Sequence, residues 1–592
     1  MDTDISQPDL DHEPSVLPSP VRITGAEAVA ATLAELEVDT IFGYPGGAIM
    51  PIYDALYDHP ELRHVLVRHE QAAVHAAEGL ARATGKPAVC MATSGPGATN
   101  FITGLADALM DSTPVICITG QVFSDLLGGD AFQEADVVGM TLSCTKWNCQ
   151  VADPADIPLA IRTAYRAAME GRPGPVLIDI TKDAQINTLA AEADGTLPQG
   201  GVERSSSVYY QNWHYAARQR DLNAVEQAAR LINEAERPLL LVGQGVQIAE
   251  AEAELLAVAE RGQIPMAATL LGLSAIATDH ALYTGLLGMH GNYAPNMLTN
   301  EADVLIAVGM RFDDRVTGRL DGYAPDARVV HIDIDPAEIG KNVPVECALV
   351  GDAREVLTAL LPTIERQRRE AWRQRFRTLD EREMSAVIRP ELFPAEGPLR
   401  MGEVVRDLSA QTDGNAIMVA DVGQHQMMVA RYYEFRRTQS HISSGGLGTM
   451  GFALPAAIGA AIGRPDRPVI AVIGDGGFQM TMQELGTVMQ EQVPVKIVIL
   501  NNGYLGMVRQ WQEMFFDRRY SQVHMQNPDF VAMCAAFRIP ARRVSERTEL
   551  PDALQTMLDS NGPFLLEVMV GQEDNVFPMI PAGAAVDEIR LD

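Results

Sequence analysis

Short apolar runs that stop on glycine or a polar residue recur along the whole chain, and helical periodicity separates them. "TIFGYPGG", "PAVCMATSGPG", "PVICITG", "RPLLLVGQGV", "ADVLIAVGMRFDD", "ARVVHIDIDPAEI", "RPVIAVIGDGG" and "VKIVILNN" share this form. Runs so short and so continuously apolar read as strands buried on both faces, which belong to parallel sheets covered by helices. The expected fold class is therefore α/β, with doubly wound parallel sheets whose strand ends gather polar residues along one edge. A chain of 592 residues is too long for one hydrophobic core. Three such units are expected, at 21–185, 223–385 and 401–592, joined by linkers at 186–222 and 386–400 behind a disordered acidic tail at 1–20.

A formal net charge of −32 with no basic stripe argues against nucleic acid or an anionic membrane as partner. No apolar run approaches the roughly 20 residues of a membrane span. The first residues are acidic and lack the basic start of a secretory signal, so a cytoplasmic protein is expected, its six cysteines buried as free thiols.

Asp475 in "GDGG" and Asn502 in "NNGY" fall just past the ends of two consecutive strands, the edge at which open α/β sheets bind ligands. A carboxylate and a carboxamide there offer oxygen ligands to Mg²⁺, which also accepts phosphate oxygens. Gly474, Gly476 and Gly477 let backbone approach a diphosphate, and the helix that follows presents free N–H groups to it. A "GDG" alone is common in turns; the "NN" at the next strand end singles this one out.

This spacing resembles the thiamin diphosphate-binding motif. The resemblance implies Asp475, Asn502 and the backbone carbonyl of Tyr504 as Mg²⁺ ligands. Thiamin chemistry also needs a carboxylate against the aminopyrimidine, and Glu70 in "VLVRHEQAAVHAAEG" is the candidate, although a glutamate in a first helical turn needs no function. With "SGPGATN" beyond it, this stretch is similar to the pyrimidine-binding half of thiamin enzymes, and the third unit to the diphosphate-binding half. In such enzymes the halves meet across a subunit interface, which implies at least a homodimer.

"GYPGGAIMPIYDAL", "DAFQEADVVGM", "CTKWN", "RFDDRVTGRL", "DVGQHQM", "SGGLGTMGFALPAAIGA" and "NNGYLGMVRQWQ" extend the likeness from about Val21 to the C-terminus. Together they resemble the catalytic subunits of the acetohydroxyacid (acetolactate) synthase family. That likeness implies decarboxylation of pyruvate and condensation of the resulting hydroxyethyl enamine with pyruvate or 2-ketobutyrate, in branched-chain amino acid biosynthesis. It further implies three cofactors, thiamin diphosphate, Mg²⁺ and FAD, a dimer or tetramer, and a small regulatory subunit. Other thiamin enzymes, such as pyruvate oxidase, glyoxylate carboligase or the flavin-free catabolic synthase, are the alternative enzymes. An inactive assembly paralogue is the alternative from another class.

Carried onto this sequence, the family pattern gives Glu70, Gly47, Gln133, Phe132 and Lys182 catalytic positions, with the Gly47 N–H toward the developing oxyanion. Tyr44, Pro45, Pro96 and Asn100 fall with Glu70 on the pyrimidine side. On the diphosphate side fall Val422, Gly423, Gln424, His425, Gly448 and Met450, the "GDGG" residues, and Asn502 with Tyr504, Leu505, Gly506 and Met507. Without the family, Met450 is a core methionine, Gln133 a loop residue and His425 a hydrogen-bonded strand-end histidine. Trp511 and Val508 are implied in the substrate channel, with Arg315 on the acceptor carboxylate.

The middle unit has glycine, arginine and aspartate at strand ends but no G-x-G-x-x-G, which by itself supports only a nucleotide. The resemblance implies FAD at Arg172, Gly243, Gly245, Thr269, Leu270, Gly288, Met289, His290, Arg311, Asp313, Arg315, Asp333 and Asp352. Phe123 and Gly129 depart from the family's usual proline and threonine, and the resemblance implies that Phe123 lies on the rim of the channel.

Overall fold

The computed structural model describes residues 21–191, 197 and 222–592. The tail expected at 1–20 and most of the linker expected at 186–222 lie outside them. Each expected unit contains one six-stranded sheet, and every pairing within the three sheets is parallel.

From edge to edge the first sheet runs Arg63–Leu66, Thr40–Tyr44, Ala88–Ala92, Val115–Gln121, Val176–Thr181, Trp147–Val151. The third runs His441–Ser443, Ile417–Ala420, Val469–Gly474, Lys496–Asn501, Phe564–Met569, Ala541–Val544. Numbered in chain order within each sheet, both read 2-1-3-4-6-5. The central sheet is Tyr283–Leu286, Met266–Ala268, Pro238–Val242, Val304–Val308, Arg328–Asp333, Cys347–Val350, and reads 3-2-1-4-5-6, the order of dinucleotide-binding folds. The strands are buried along nearly their whole length, as continuous apolar runs require.

The first and third units pack through two helices, Glu70–Thr84 and Ala453–Gly463. Glycine makes this approach possible: a Cβ on Gly79 would lie 1.9 Å from the Ala456 carbonyl oxygen, and one on Gly459 would lie 1.8 Å from that of Ala76. The first of these helices stops at Gly85, whose φ of 72° suits a left-handed cap.

Three boundaries differ from the sequence reading. Thr188–Ala191, inside the expected linker, is a strand antiparallel to Val21–Thr24, because backbone groups beside the first sheet pair there. The linker expected at 386–400 begins as helix: Glu370–Glu383 continues through a π turn, Met384–Ile388, into Arg389–Leu392. The C-terminal stretch leaves the third unit and packs on the central one. Ile580, Val586 and Ile589 join a core with Leu305, Phe312 and Trp372, and the Ile580 N–H donates to the Met289 carbonyl at 2.8 Å. The six cysteines are unpaired, all buried except the partly exposed Cys149. Among the described residues no helix is long and apolar enough to cross a membrane.

Candidate active site

One cavity of about 960 Å³ opens where the carboxyl ends of the central and third sheets face each other. On the third-unit side three helices begin at its wall: Gln424–Tyr432, Asp475–Thr481 and Gly506–Phe515. Their N-cap residues, Gly423, Gly474 and Leu505, make no side-chain cap. Helix starts without a cap leave N–H groups and the positive end of the dipole to a ligand, so three converging on one cavity suit a polyanion. The structure starts the second helix at Asp475 itself, so Gly476 and Gly477 are first-turn residues rather than a preceding loop.

Asp475 and Asn502 are both buried and both line the cavity. Asn502 Oδ1 accepts the Tyr504 N–H at 3.1 Å, a local turn that keeps the segment through Tyr504 beside the carboxamide. Burial raises the Asp475 carboxyl above its ordinary value, opposed by a hydrogen bond from Asn527. Asn527 Nδ2 stands 2.6 Å from Asp475 Oδ2 and 3.0 Å from Asn501 Oδ1. A carboxylate oriented this way, beside a carboxamide and next to an anion-binding set of N–H groups, fits Mg²⁺ with a diphosphate.

Val422, Gln424, His425, Gly448, Met450, Met507, Val508 and Trp511 also line the cavity. His425 Nε2 accepts the Gly474 N–H at 3.2 Å, and burial pushes its pKa down to about 3. The ring is therefore neutral at physiological pH and serves to tie two strand ends, not to carry a proton. Gly423 and Gly474 leave it room, since a Cβ on either would fall within 3 Å of the imidazole.

The central half of the cavity lies at the point where strand order reverses, between Pro238–Val242 and Val304–Val308. Arg172, Gly245, Thr269, Leu270, Met289, His290, Arg311, Asp313, Arg315, Asp333 and Asp352 line it. Several have local duties as well. Asp313 caps Asp314–Thr317, Asp352 caps Ala353–Leu360, and Thr269 Oγ1 accepts the Gly272 N–H. Arg172 stands 3.3 Å from Asp335 and 3.0 Å from Glu338. Burial lifts Asp333 to about 6 and lowers His290 to about 4. Gly243 and Gly288 are absent from the wall. They are close-packing glycines instead: a Cβ on Gly243 would meet the Gly309 carbonyl at 2.1 Å, and one on Gly288 the Arg315 carbonyl at 2.5 Å.

Apart from Arg172, the first-unit site residues form a separate group. Tyr44, Pro45, Gly47, Glu70, Pro96, Asn100, Phe132, Gln133 and Lys182 do not line the cavity of their own chain. Glu70 opens its helix, and its Oε2 accepts from Asn100 Nδ2 at 2.9 Å. Pro96 starts the short helix Pro96–Thr99, and a Cβ on Gly97 would lie 3.4 Å from Glu70 Oε1. Gln133 holds a φ of 61°, a strained value for glutamine of the kind that marks functional loops. Phe132 is 89% exposed and Tyr44 41% exposed. A Cβ on Gly47 would meet nothing within 4 Å, and the Lys182 amine sits 5.8 Å from the Phe123 ring centroid.

Two polar residues of the site escaped the sequence reading. Asp421 ends the strand Ile417–Ala420, is fully buried, and accepts N–H groups from Val422 and Gly451; its place at a strand end was a readable signal. Asn527 had none, because it lies in an irregular segment that only folding brings to Asp475.

Matches to known proteins follow the same three-part layout. The N-terminal TPP binding domain of thiamine pyrophosphate enzymes matches residues 23–140, the central domain 225–360, and the C-terminal TPP binding domain 421–568. An acetolactate synthase large subunit of Corynebacterium glutamicum is 45% identical over 97% of this chain and 91% of its own. The acetolactate synthase isozyme 2 large subunit of Escherichia coli is 45% identical over 96% of this chain and 99% of its own. The chain belongs to the acetolactate synthase large-subunit family. Acetolactate synthase 1, chloroplastic, of Nicotiana tabacum is 43% identical over 95% of this chain and 84% of its own. Membership makes thiamin diphosphate the coenzyme, in agreement with the anion-binding helix starts around Asp475.

Proposed function

We propose that the protein is an acetolactate synthase catalytic subunit that decarboxylates pyruvate and joins the two-carbon fragment to a second 2-keto acid, pyruvate or 2-ketobutyrate. The observation that carries the reading is the convergence of three uncapped helix starts on Asp475 and Asn502, in a cavity continuous with a dinucleotide-type crevice. When bound, the thiazolium of the coenzyme supplies the electron sink for decarboxylation. The chain would bind the diphosphate through N–H groups around Gly423, Gly474 and Leu505. It would hold Mg²⁺ through Asp475, Asn502 and the Tyr504 carbonyl, with Asn527 orienting the acid.

FAD is the proposed occupant of the central half. The 3-2-1-4-5-6 sheet, the close glycine crossing at Gly245 and Gly309, and the cationic Arg172, Arg311 and Arg315 along one cavity wall suit a dinucleotide. Arg315 and Trp511 both line the cavity, where a planar guanidinium would pair with an acceptor carboxylate and an indole would crowd its alkyl group.

Glu70 stands outside its own chain's cavity, and the same unit exposes apolar side chains, Phe132 and Tyr44 among them. The reading therefore includes a homodimer in which the Glu70 group of one chain faces the Asp475 cavity of the other, with Glu70 holding a proton against the aminopyrimidine. A small regulatory subunit is a further proposed partner, and the cytoplasm the proposed location. Purified protein given pyruvate, Mg²⁺, thiamin diphosphate and FAD should form acetolactate without oxygen uptake, and a mixed product when 2-ketobutyrate is added. Peroxide with acetyl phosphate would instead identify an oxidase, and no turnover of pyruvate would remove the proposal.

A further inference from the structure

A set of buried polar contacts crosses from the first unit to the third, where Ser444, Gly445 and Gly446 line the cavity, while its first-unit members, Arg82, Asp107 and Asp111, lie outside the cavity wall. The helix Ile102–Met110 carries Asp107 and ends at Asp111, and both carboxylates face loop 443–451 of the third unit. The Ser444 hydroxyl donates to Asp107 Oδ1 at 2.7 Å. Asp111 accepts two backbone N–H groups, Gly445 at 2.8 Å on one oxygen and Gly446 at 2.7 Å on the other. Arg82 stands 3.4 Å from Asp111 and donates to the Ser443 carbonyl at 2.6 Å. Ser444 Oγ in turn accepts the Thr449 N–H at 2.8 Å, which folds the loop back on itself.

The far end of the loop is fixed within its own unit. Asp421 accepts the Gly451 N–H at 3.0 Å, and the Thr481 hydroxyl donates to the Gly451 carbonyl at 2.9 Å. Between these anchors lie Gly448, with a φ of 73°, and Met450, and both line the cavity. The packing leaves the loop no slack. A Cβ on Gly446 would stand 2.8 Å from Met110 Cβ and 2.9 Å from Asp111 Oδ1, and one on Gly445 would stand 2.7 Å from the Leu271 side chain of the central unit.

Closing a seam between domains does not require charge, since apolar side chains replace buried ionic groups with little or no loss. Carboxylates that each take directed N–H or O–H bonds do something apolar groups cannot, which is to fix the path of a backbone. Burial raises Asp111, opposed by Arg82 and by the two loop N–H groups, and it raises Asp107 to about 8.

We propose that Asp107 and Asp111 are positioning residues for the diphosphate half-site: the first unit of a chain sets loop 443–451, and with it Gly448 and Met450, for coenzyme binding in that chain's own third unit. The inference rests on the thiamin diphosphate reading above. It makes the first unit bipartite, with one edge bearing Glu70 and a second, buried face shaping the cavity of the same chain.

Two variants of the full-length, FAD-loaded protein test it. In Asp111→Asn the amide keeps one acceptor and turns an N–H₂ against the second backbone N–H. Asp107→Ala removes the acceptor of the Ser444 hydroxyl at a residue outside the cavity wall. Titration with thiamin diphosphate at saturating Mg²⁺ should show affinity weakened by about ten- to a hundredfold in both, as for lost supporting contacts around a bound ion. Flavin content should be retained, and kcat should recover to near wild type when coenzyme saturates. Folded, flavin-loaded variants with wild-type coenzyme affinity would overturn the proposal, and so would lower Tm and active fraction with affinity unmoved. Failure of the wild type itself to bind the coenzyme would overturn the underlying reading instead.

Discussion

Replacing Asn527 with alanine removes the donor that orients Asp475. In the structure Asn527 Nδ2 lies 2.6 Å from Asp475 Oδ2, and Asn527 Oδ1 accepts from Gln479 Nε2 at 2.9 Å, so the carboxamide is held at both ends. A hydrogen bond to a charged group contributes about 1.5–3 kcal/mol. Here the acid is almost fully buried. If that energy is spent on keeping the carboxylate in its metal-ready pose, Mg²⁺ affinity falls by roughly ten- to a hundredfold, at about 1.4 kcal/mol per factor of ten. The assay is a Mg²⁺ titration of acetolactate formation at saturating thiamin diphosphate, followed by the reciprocal titration. FAD content serves as the control, because Asn527 is not among the residues lining the flavin half. The half-saturating Mg²⁺ should rise while kcat at high Mg²⁺ returns towards wild type. An unchanged Mg²⁺ requirement in a folded, flavin-loaded variant would refute the assignment of Asp475 as a ligand oriented by Asn527.

Glu70→Gln and Asp475→Ala should each abolish nearly all turnover alone. Co-expressed, they should regain about a quarter of wild-type activity if sites are shared between chains, because half of the dimers then carry one intact site of two; no recovery would place both residues in one chain's site. Glu383 ion-pairs with the fully buried Arg431 and accepts the Tyr293 N–H at 2.6 Å, while Arg431 donates to the carbonyls of His290 and Gly291. Glu383→Gln should cost about 3–5 kcal/mol and loosen flavin, read as lower Tm and faster FAD loss on gel filtration. Gly459→Ala must open a helix seam that has no space for a methyl group, so Tm should fall by the equivalent of about 1–3 kcal/mol or more. Burial raises Asp421 from 3.8 to about 6, so the stability this group contributes is present below pH 3.8 and lost as pH rises through 6. Relative to Asp421→Asn, whose amide does not titrate, the wild type should therefore lose ground in Tm between pH 4 and 7.

The α/β class, three units of it, and the placement of Asp475 and Asn502 at neighbouring strand ends were all legible locally, because an apolar run followed by glycine or a polar residue states both the strand and its end. Glu70 at a helix start was legible for the same reason. Tertiary structure alone decided which strand ends become neighbours. It gave the outer sheets one order and the central sheet another, sent Ile580, Val586 and Ile589 back to the central core, and carried Asn527 to Asp475. It also separated the Glu70 group from its own chain's cavity and set Asp107 and Asp111 under loop 443–451. Periodicity records which face of an element is buried; it does not record against what, since that choice is made by packing and hydrogen bonding between segments far apart in the chain.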